Sequence, residues 1–218
     1  MTVIIAYDGD MKLTIFGASG RTGTHLVEQA TERGDDVTVV LRRPPAPGAL
    51  DAGVTVRAIP DFADTAALRE AIDGADAVLS GIGPRSAKDA PVAAPATRAI
   101  LAAHPGRIVV ISAAPVAPPP PDDSFINRRI AIPLVERALR PVYEDLREME
   151  AALAASDSVW TAFRPPRLTN GKATGKYRTR VGASVARGFL LTRADLAAAM
   201  LDSLRHAEME RAAVGVAG

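Results

Sequence analysis

The chain has 218 residues, 48% of them hydrophobic, and sets 26 Lys and Arg against 25 Asp and Glu for a formal charge of +1. That suffices for one well-buried core and is short for two domains, while the balanced charge, with no long run of one sign, argues against a nucleic-acid surface. Cysteine is absent, which excludes disulfides, thiolate metal sites and a thiol nucleophile, and His25, His104 and His206 stand in no metal-ligand spacing, so no metal is expected. The opening "MTVIIAYDGD" has neither a basic head nor a long apolar segment, and no run approaches the length of a membrane helix. The expectation is a cytoplasmic protein that works away from membranes.

Short β-branched runs alternate with segments rich in Ala, Leu and charge, the pattern of a parallel sheet covered by helices. Strands are predicted at Leu13–Phe16, Val37–Leu41, Val54–Ala58, Ala77–Ser80, Arg107–Ile111 and Val159–Phe163, with a short last strand near Val214–Val216. Helices are predicted over 21–33, 65–73, 89–103, 127–155 and 193–206. The fold class is therefore α/β, a Rossmann-type doubly wound parallel sheet with helices on both faces and a single domain over residues 11–218. Residues 1–10 precede a stretch that is already a complete beginning, and they read as an extension or an added edge strand. The four consecutive prolines of "AAPVAPPPPDDSF" forbid helix and central strand, so this segment is a loop. Coming after the fifth strand, it falls at the carboxyl edge of the sheet, as a stiff connector or a rim beside a ligand.

Gly17-Ala18-Ser19-Gly20-Arg21-Thr22-Gly23 sets G-x-x-G-x-x-G between a strand and a helix, the context of a dinucleotide fingerprint. Gly17 allows a sharp turn, Gly20 a close backbone approach to a pyrophosphate, and Gly23 tight packing of helix on strand. The helix N-terminus then faces the phosphates with free N–H groups. The second strand ends in Arg42-Arg43 where an acid would accept from the ribose 2′-hydroxyl of NAD, and Arg21 sits in the loop itself. Guanidinium groups suit a 2′-phosphate, which favours NADPH over NADH; the plainer reading of Arg42 and Arg43 is solvated charge at a strand end.

"IFGASGRTG", "VTVVLRRP", "DAVLSGIG", "IVVISAA" and "WTAFRPPRLTNGKATGKYR" occur in the order seen in atypical short-chain dehydrogenase/reductase-like NAD(P)-binding proteins. The chain resembles the branch that includes biliverdin-IXβ/flavin reductases and NmrA-like sensors, over essentially all of Met11 to Gly218. The resemblance implies that Gly17, Ser19, Gly20, Arg21 and Thr22 line the phosphates and that Arg42 meets the adenosine phosphate. It implies that Asp61 and Phe62 lie at the adenine, that Gly81, Ile82 and Gly83 pass beside the nicotinamide ribose, and that Pro165 and Pro166 border the nicotinamide. Arg167 and Leu168, with Phe125, would line the substrate pocket.

Typical short-chain dehydrogenases use Ser, Tyr and Lys, the last two one helical turn apart, so that the lysine charge lowers the tyrosine pKa for proton transfer to a carbonyl. Here Ser112 ends the fifth strand and "VYEDLR" places Tyr143 and Arg147 at that spacing, with arginine where lysine is expected. Arginine gives fixed charge but cannot join a proton relay, and Pro141 would break or kink the helix beside Tyr143. A flavin, quinone or tetrapyrrole can accept a hydride without a buried acid. The function expected is hydride transfer from NADPH to such a small conjugated acceptor. The alternatives are a non-catalytic NmrA-like sensor of NADP, and a carbonyl reductase or epimerase built on Ser112, Tyr143 and Arg147. The expected partner is a small-molecule substrate, with the chain a monomer or a homodimer.

Overall fold

A computed structural model describes residues 11–46, 50, 53–84, 86–89, 91–119, 121–123, 129 and 132–218. Residues 1–10 and Phe125, both singled out above, lie outside the described residues.

In chain order the elements are β1 (Lys12–Phe16), α1 (Gly23–Glu32), β2 (Asp36–Leu41), β3 (Thr55–Ala58), α2 (Thr65–Ile72), β4 (Ala77–Ser80), α3 (Ala93–Ala102) and β5 (Arg107–Ile111). They continue with α4 (Ile132–Ala138), α5 (Arg140–Ala154), β6 (Val159–Arg164), β7 (Arg167–Thr169), β8 (Arg178–Val181), β9 (Leu190–Thr192), α6 (Arg193–Asp202) and β10 (Ala212–Ala217). The main sheet has eight strands in the order β3-β2-β1-β4-β5-β6-β10-β8, parallel throughout except that β8 runs antiparallel to β10 at the edge. The order reverses between β1 and β4, which is the switch point where open sheets of this kind open a crevice at their carboxyl ends. The expected Rossmann-type sheet is thus present.

The strands alternate their side chains between two apolar layers, as the period of two requires. Leu13, Ile15, Val37, Val39, Leu79 and Val109 pack under α1 and α6 against Leu26, Ala30, Leu196 and Met200. Phe16, Val40, Val78, Ile108 and Val110 face the other way, against Leu68 of α2, Ile100 of α3, and Tyr143, Leu146, Met149 and Leu153 of α5. The apolar stripe of α5 at three- and four-residue spacing explains why it lies flat on the sheet. Asp145, on a different side of α5, accepts from the backbone N–H groups of Val92, Ala93 and Ala94 at 2.8 Å each. One helix therefore caps the start of its neighbour α3, which has no side-chain cap of its own.

The helix predicted over 127–155 is divided. Leu139 leaves helical geometry with ψ +23° and becomes the cap of α5, with Pro141 in its first turn. Proline has no N–H and its ring crowds the carbonyl four residues earlier, so the α4 spiral cannot run on through it. Strands β7, β8 and β9 were not anticipated. Among the described residues β7 and β9 pair only with each other, Leu168 opposite Leu191, and β8 is exposed along its whole length.

Candidate nucleotide and reduction site

The carboxyl edge of the sheet brings together the loops after β1, β4, β5 and β6. Gly17 turns the chain at φ +71°, and a Cβ there would stand 2.8 Å from the Gly81 carbonyl carbon and the Ile82 nitrogen. A Cβ on Gly23 would stand 2.1 Å from the Gly17 oxygen. These two glycines therefore let α1 seat directly on the turn after β1 and let the β4 loop close against it. Gly20 donates its N–H to Gly17 O at 2.8 Å. Gly81 is less crowded, with its nearest neighbours at 3.5 Å, and Gly83 faces open space.

The turn leaves the N–H groups of Arg21, Thr22 and Gly23 without an acceptor among the described residues, and the first turn of α1 carries no acid. Unmet donors and the positive end of the helix dipole make this an anion cradle. Arg21, Arg42 and Arg43 are exposed, and none of them pairs with a carboxylate among the described residues. Arg193, at the start of α6, donates to Asn170 Oδ1 at 2.7 Å. Burial lowers the Arg193 pKa, and the nearby Arg21 charge lowers it further, so a second guanidinium stands beside the cradle. Arg193 gave no sequence signal; the fold brings it in from the far end of the chain.

Asp61 accepts from Ala63 N–H at 2.9 Å, which shapes the turn after β3. Phe62 packs edge-on against Phe16 with ring centres 5.8 Å apart. The loops after β5 and β6 are tied by Ala114 N–H donating to Pro165 O at 2.8 Å. Pro165 is buried, Pro166 and Leu168 half-buried and Arg167 exposed.

The three residues of the expected relay are separately engaged. Ser112, 5% exposed, donates its hydroxyl proton to Glu150 Oε1 at 2.5 Å. Glu150 in turn holds Arg164 at two points, Nε on Oε1 at 3.0 Å and the terminal nitrogen on Oε2. Tyr143 lies in the core layer under α5 and is 5% exposed. Burial first, and the Glu136 charge second, push its phenol pKa up, the opposite of what a proton donor to a carbonyl needs. Arg147 pairs with Glu136 and donates to the carbonyls of Val116 at 3.3 Å and Pro115 at 3.4 Å. It clasps the start of the proline-rich loop. Glu150 and Arg164 were missed in the sequence; the only trace is that Glu150 falls on the Tyr143–Arg147 face of α5.

Among the described residues no group of acidic or imidazole side chains could hold a metal, and no helix is long and apolar enough to cross a membrane.

A doubly wound sheet with a glycine turn and an anion cradle at its switch point defines a dinucleotide-binding protein. The NAD(P)H-binding family model matches residues 17–207, and the chain belongs to that family. Among curated sequences it is similar to the uncharacterized protein YwnB of Bacillus subtilis (strain 168), 28% identical over 91% of this chain and 94% of that one. Among solved structures, a Burkholderia pseudomallei protein is 26% identical with a TM-score of 0.76, over 95% of this chain and 100% of that one. A short-chain dehydrogenase/reductase from Veillonella parvula in complex with NADP shares the fold at 20% identity and a TM-score of 0.73, over 95% of this chain and 94% of that one.

Proposed function

We propose that this protein is a reductase that uses NADPH to reduce a small conjugated acceptor, with a flavin the first candidate. The observation that carries this reading is the prior engagement of all three residues of the expected Ser, Tyr and Arg set: Ser112 with Glu150, Tyr143 in the core, Arg147 with Glu136 and the loop. An electron-poor conjugated ring takes a hydride without such a donor. When bound, NADPH supplies the hydride, a flavin takes it with one further proton from water, and NADP⁺ and the dihydroflavin result.

The chain's own part is to hold and align. The turn of Gly17, Ser19, Gly20, Arg21, Thr22 and Gly23 would grip the pyrophosphate through its free N–H groups, and the two guanidinium groups of Arg42 and Arg43 the 2′-phosphate. The free oxygen of Asp61 would meet the adenine. Gly81, Ile82 and Gly83 would border the nicotinamide ribose, while Ser112, Pro165 and Pro166 would border the nicotinamide. Leu168 and Arg167 would form the mouth for the acceptor.

Steady-state loss of NADPH absorbance with and without FMN, with NADH in parallel, tests this. FMN-dependent oxidation faster with NADPH is expected, and Arg42→Ala and Arg43→Ala should each weaken NADPH about tenfold while sparing NADH. Tight NADPH binding with no turnover on FMN or a quinone would instead favour the sensor reading.

A further inference from the structure

Glu150 is an acid with no place in the family relay, yet it sits at the carboxyl ends of β5 and β6, where the nicotinamide ring is expected. Its two oxygens face three donors: Arg164 occupies both, and Ser112 adds a bond of 2.5 Å to Oε1. The side chains of Glu150 and Arg164 are only 13% and 14% exposed, so water competes little for these contacts. A hydroxyl has one proton to give and two lone pairs with which to accept. With that proton on Glu150, Ser112 can offer a ligand nothing but lone pairs.

We propose that Glu150, clamped by Arg164, is the positioning residue that fixes Ser112 as a hydrogen-bond acceptor, and that the group Ser112 accepts from is the carboxamide N–H of the nicotinamide. This rests on the NADP reading above and extends it to the polarity of the nicotinamide end. The same polarity denies a substrate carbonyl the serine donor that ketone reduction uses, which is why the site suits an acceptor that needs none.

The test uses binding rather than turnover. NADP⁺ is compared with its 3-acetylpyridine analogue, in which a methyl replaces the amide NH2 and the carbonyl stays. Affinities are measured by calorimetry for the wild type, Ser112→Ala, Glu150→Gln and the double variant. In Glu150→Gln the single amide oxygen stays with Arg164 and the new NH2 turns to Ser112, which frees the hydroxyl proton. The preference for NADP⁺ over the analogue should fall about fivefold in each single variant, and no further in the double, since one uncharged hydrogen bond is at stake. An unchanged preference in either single variant overturns the proposal. So does an effect of Glu150→Gln that persists in the Ser112→Ala background, because that marks a merely structural acid. If Glu150→Gln does not fold, Ser112→Ala alone decides. Absence of NADPH turnover by the wild type would sink the reductase reading and leave this binding ratio readable.

Discussion

A missing methyl group separates two glycines that look alike in the sequence. At Gly23 a Cβ would meet the Gly17 oxygen at 2.1 Å and the Gly17 carbon at 2.8 Å, both backbone atoms that cannot rotate away. At Gly83 it would meet nothing within 4 Å. Gly23→Ala should therefore cost about 2 kcal/mol or more in urea unfolding and also weaken NADPH binding, because the clash pries α1 from the turn that presents its N–H groups. Gly83→Ala should leave the urea-unfolding free energy near wild type. Equal effects at the two positions would refute this assignment of the close contact. Tyr143 is argued on the same scale. Its phenol is held neutral by burial and by Glu136, so Tyr143→Phe should leave FMN-dependent NADPH oxidation within about twofold, while a collapse of activity would restore the tyrosine as a donor. Arg21 and the glycines were legible in the sequence because their spacing is local. Glu150 was not, because its meaning arises only when α5 is laid on the sheet and β5 brings Ser112 to it.

Whole elements were legible in proportion to how much of their stability is local or buried on two faces. The central strands announced themselves as continuous β-branched runs, and β1, β2, β4, β5 and β6 lie within a residue or so of where the sequence placed them. In contrast, β8 is four residues long and exposed throughout, with Arg at alternate positions, and only its pairing with β10 makes it a strand. The division of α4 from α5 was half legible, since Pro141 marked a fault but not which side of it would stay helical. The α6 terminus shows how a buried acid organises such weakly patterned chain. Asp195 accepts from the Thr174 and Gly175 N–H groups at 2.7 and 2.9 Å and from the hydroxyls of Thr174 and Thr192 at 2.9 and 2.8 Å. Burial alone would raise its pKa, but these hydrogen bonds outweigh burial and hold it below the usual aspartate value. A carboxyl depressed in the folded state stabilises above its unfolded pKa and loses that contribution as pH falls through the folded value. Asp195→Asn should thus lower stability by about 2 kcal/mol near neutral pH, and the gap to wild type should shrink as pH falls below about 4. Urea melts across that range measure it; a gap independent of pH would mean that the carboxylate charge contributes nothing.

Across the whole molecule, one loop is fastened by two separate elements that follow it in the chain, α5 and β8. The proline-rich segment after β5 is held at its start by Arg147 of α5, through the Pro115 and Val116 carbonyls. Farther along, Arg180 of β8 binds both oxygens of Asp122 at 3.0 and 3.1 Å, and Asp123 accepts from Arg187 N–H at 3.4 Å. The edge strand that carries no core side chain thereby anchors the rim of the carboxyl edge. The Arg180–Asp122 pair is exposed, 42% and 57% by side chain, and exposed pairs of this kind contribute little to global stability. It can still bias where Asp122 sits, since a small differential energy is enough to shift a population between two arrangements. Arg180→Ala should leave the melting temperature within about 1 °C and NADPH affinity unchanged. With the loop as a rim beside the proposed acceptor and away from the cofactor phosphates, the KM for FMN should rise severalfold with kcat little altered. A KM indistinguishable from wild type would make the clasp a surface decoration, and a matching loss of NADPH affinity would place the loop over the cofactor instead.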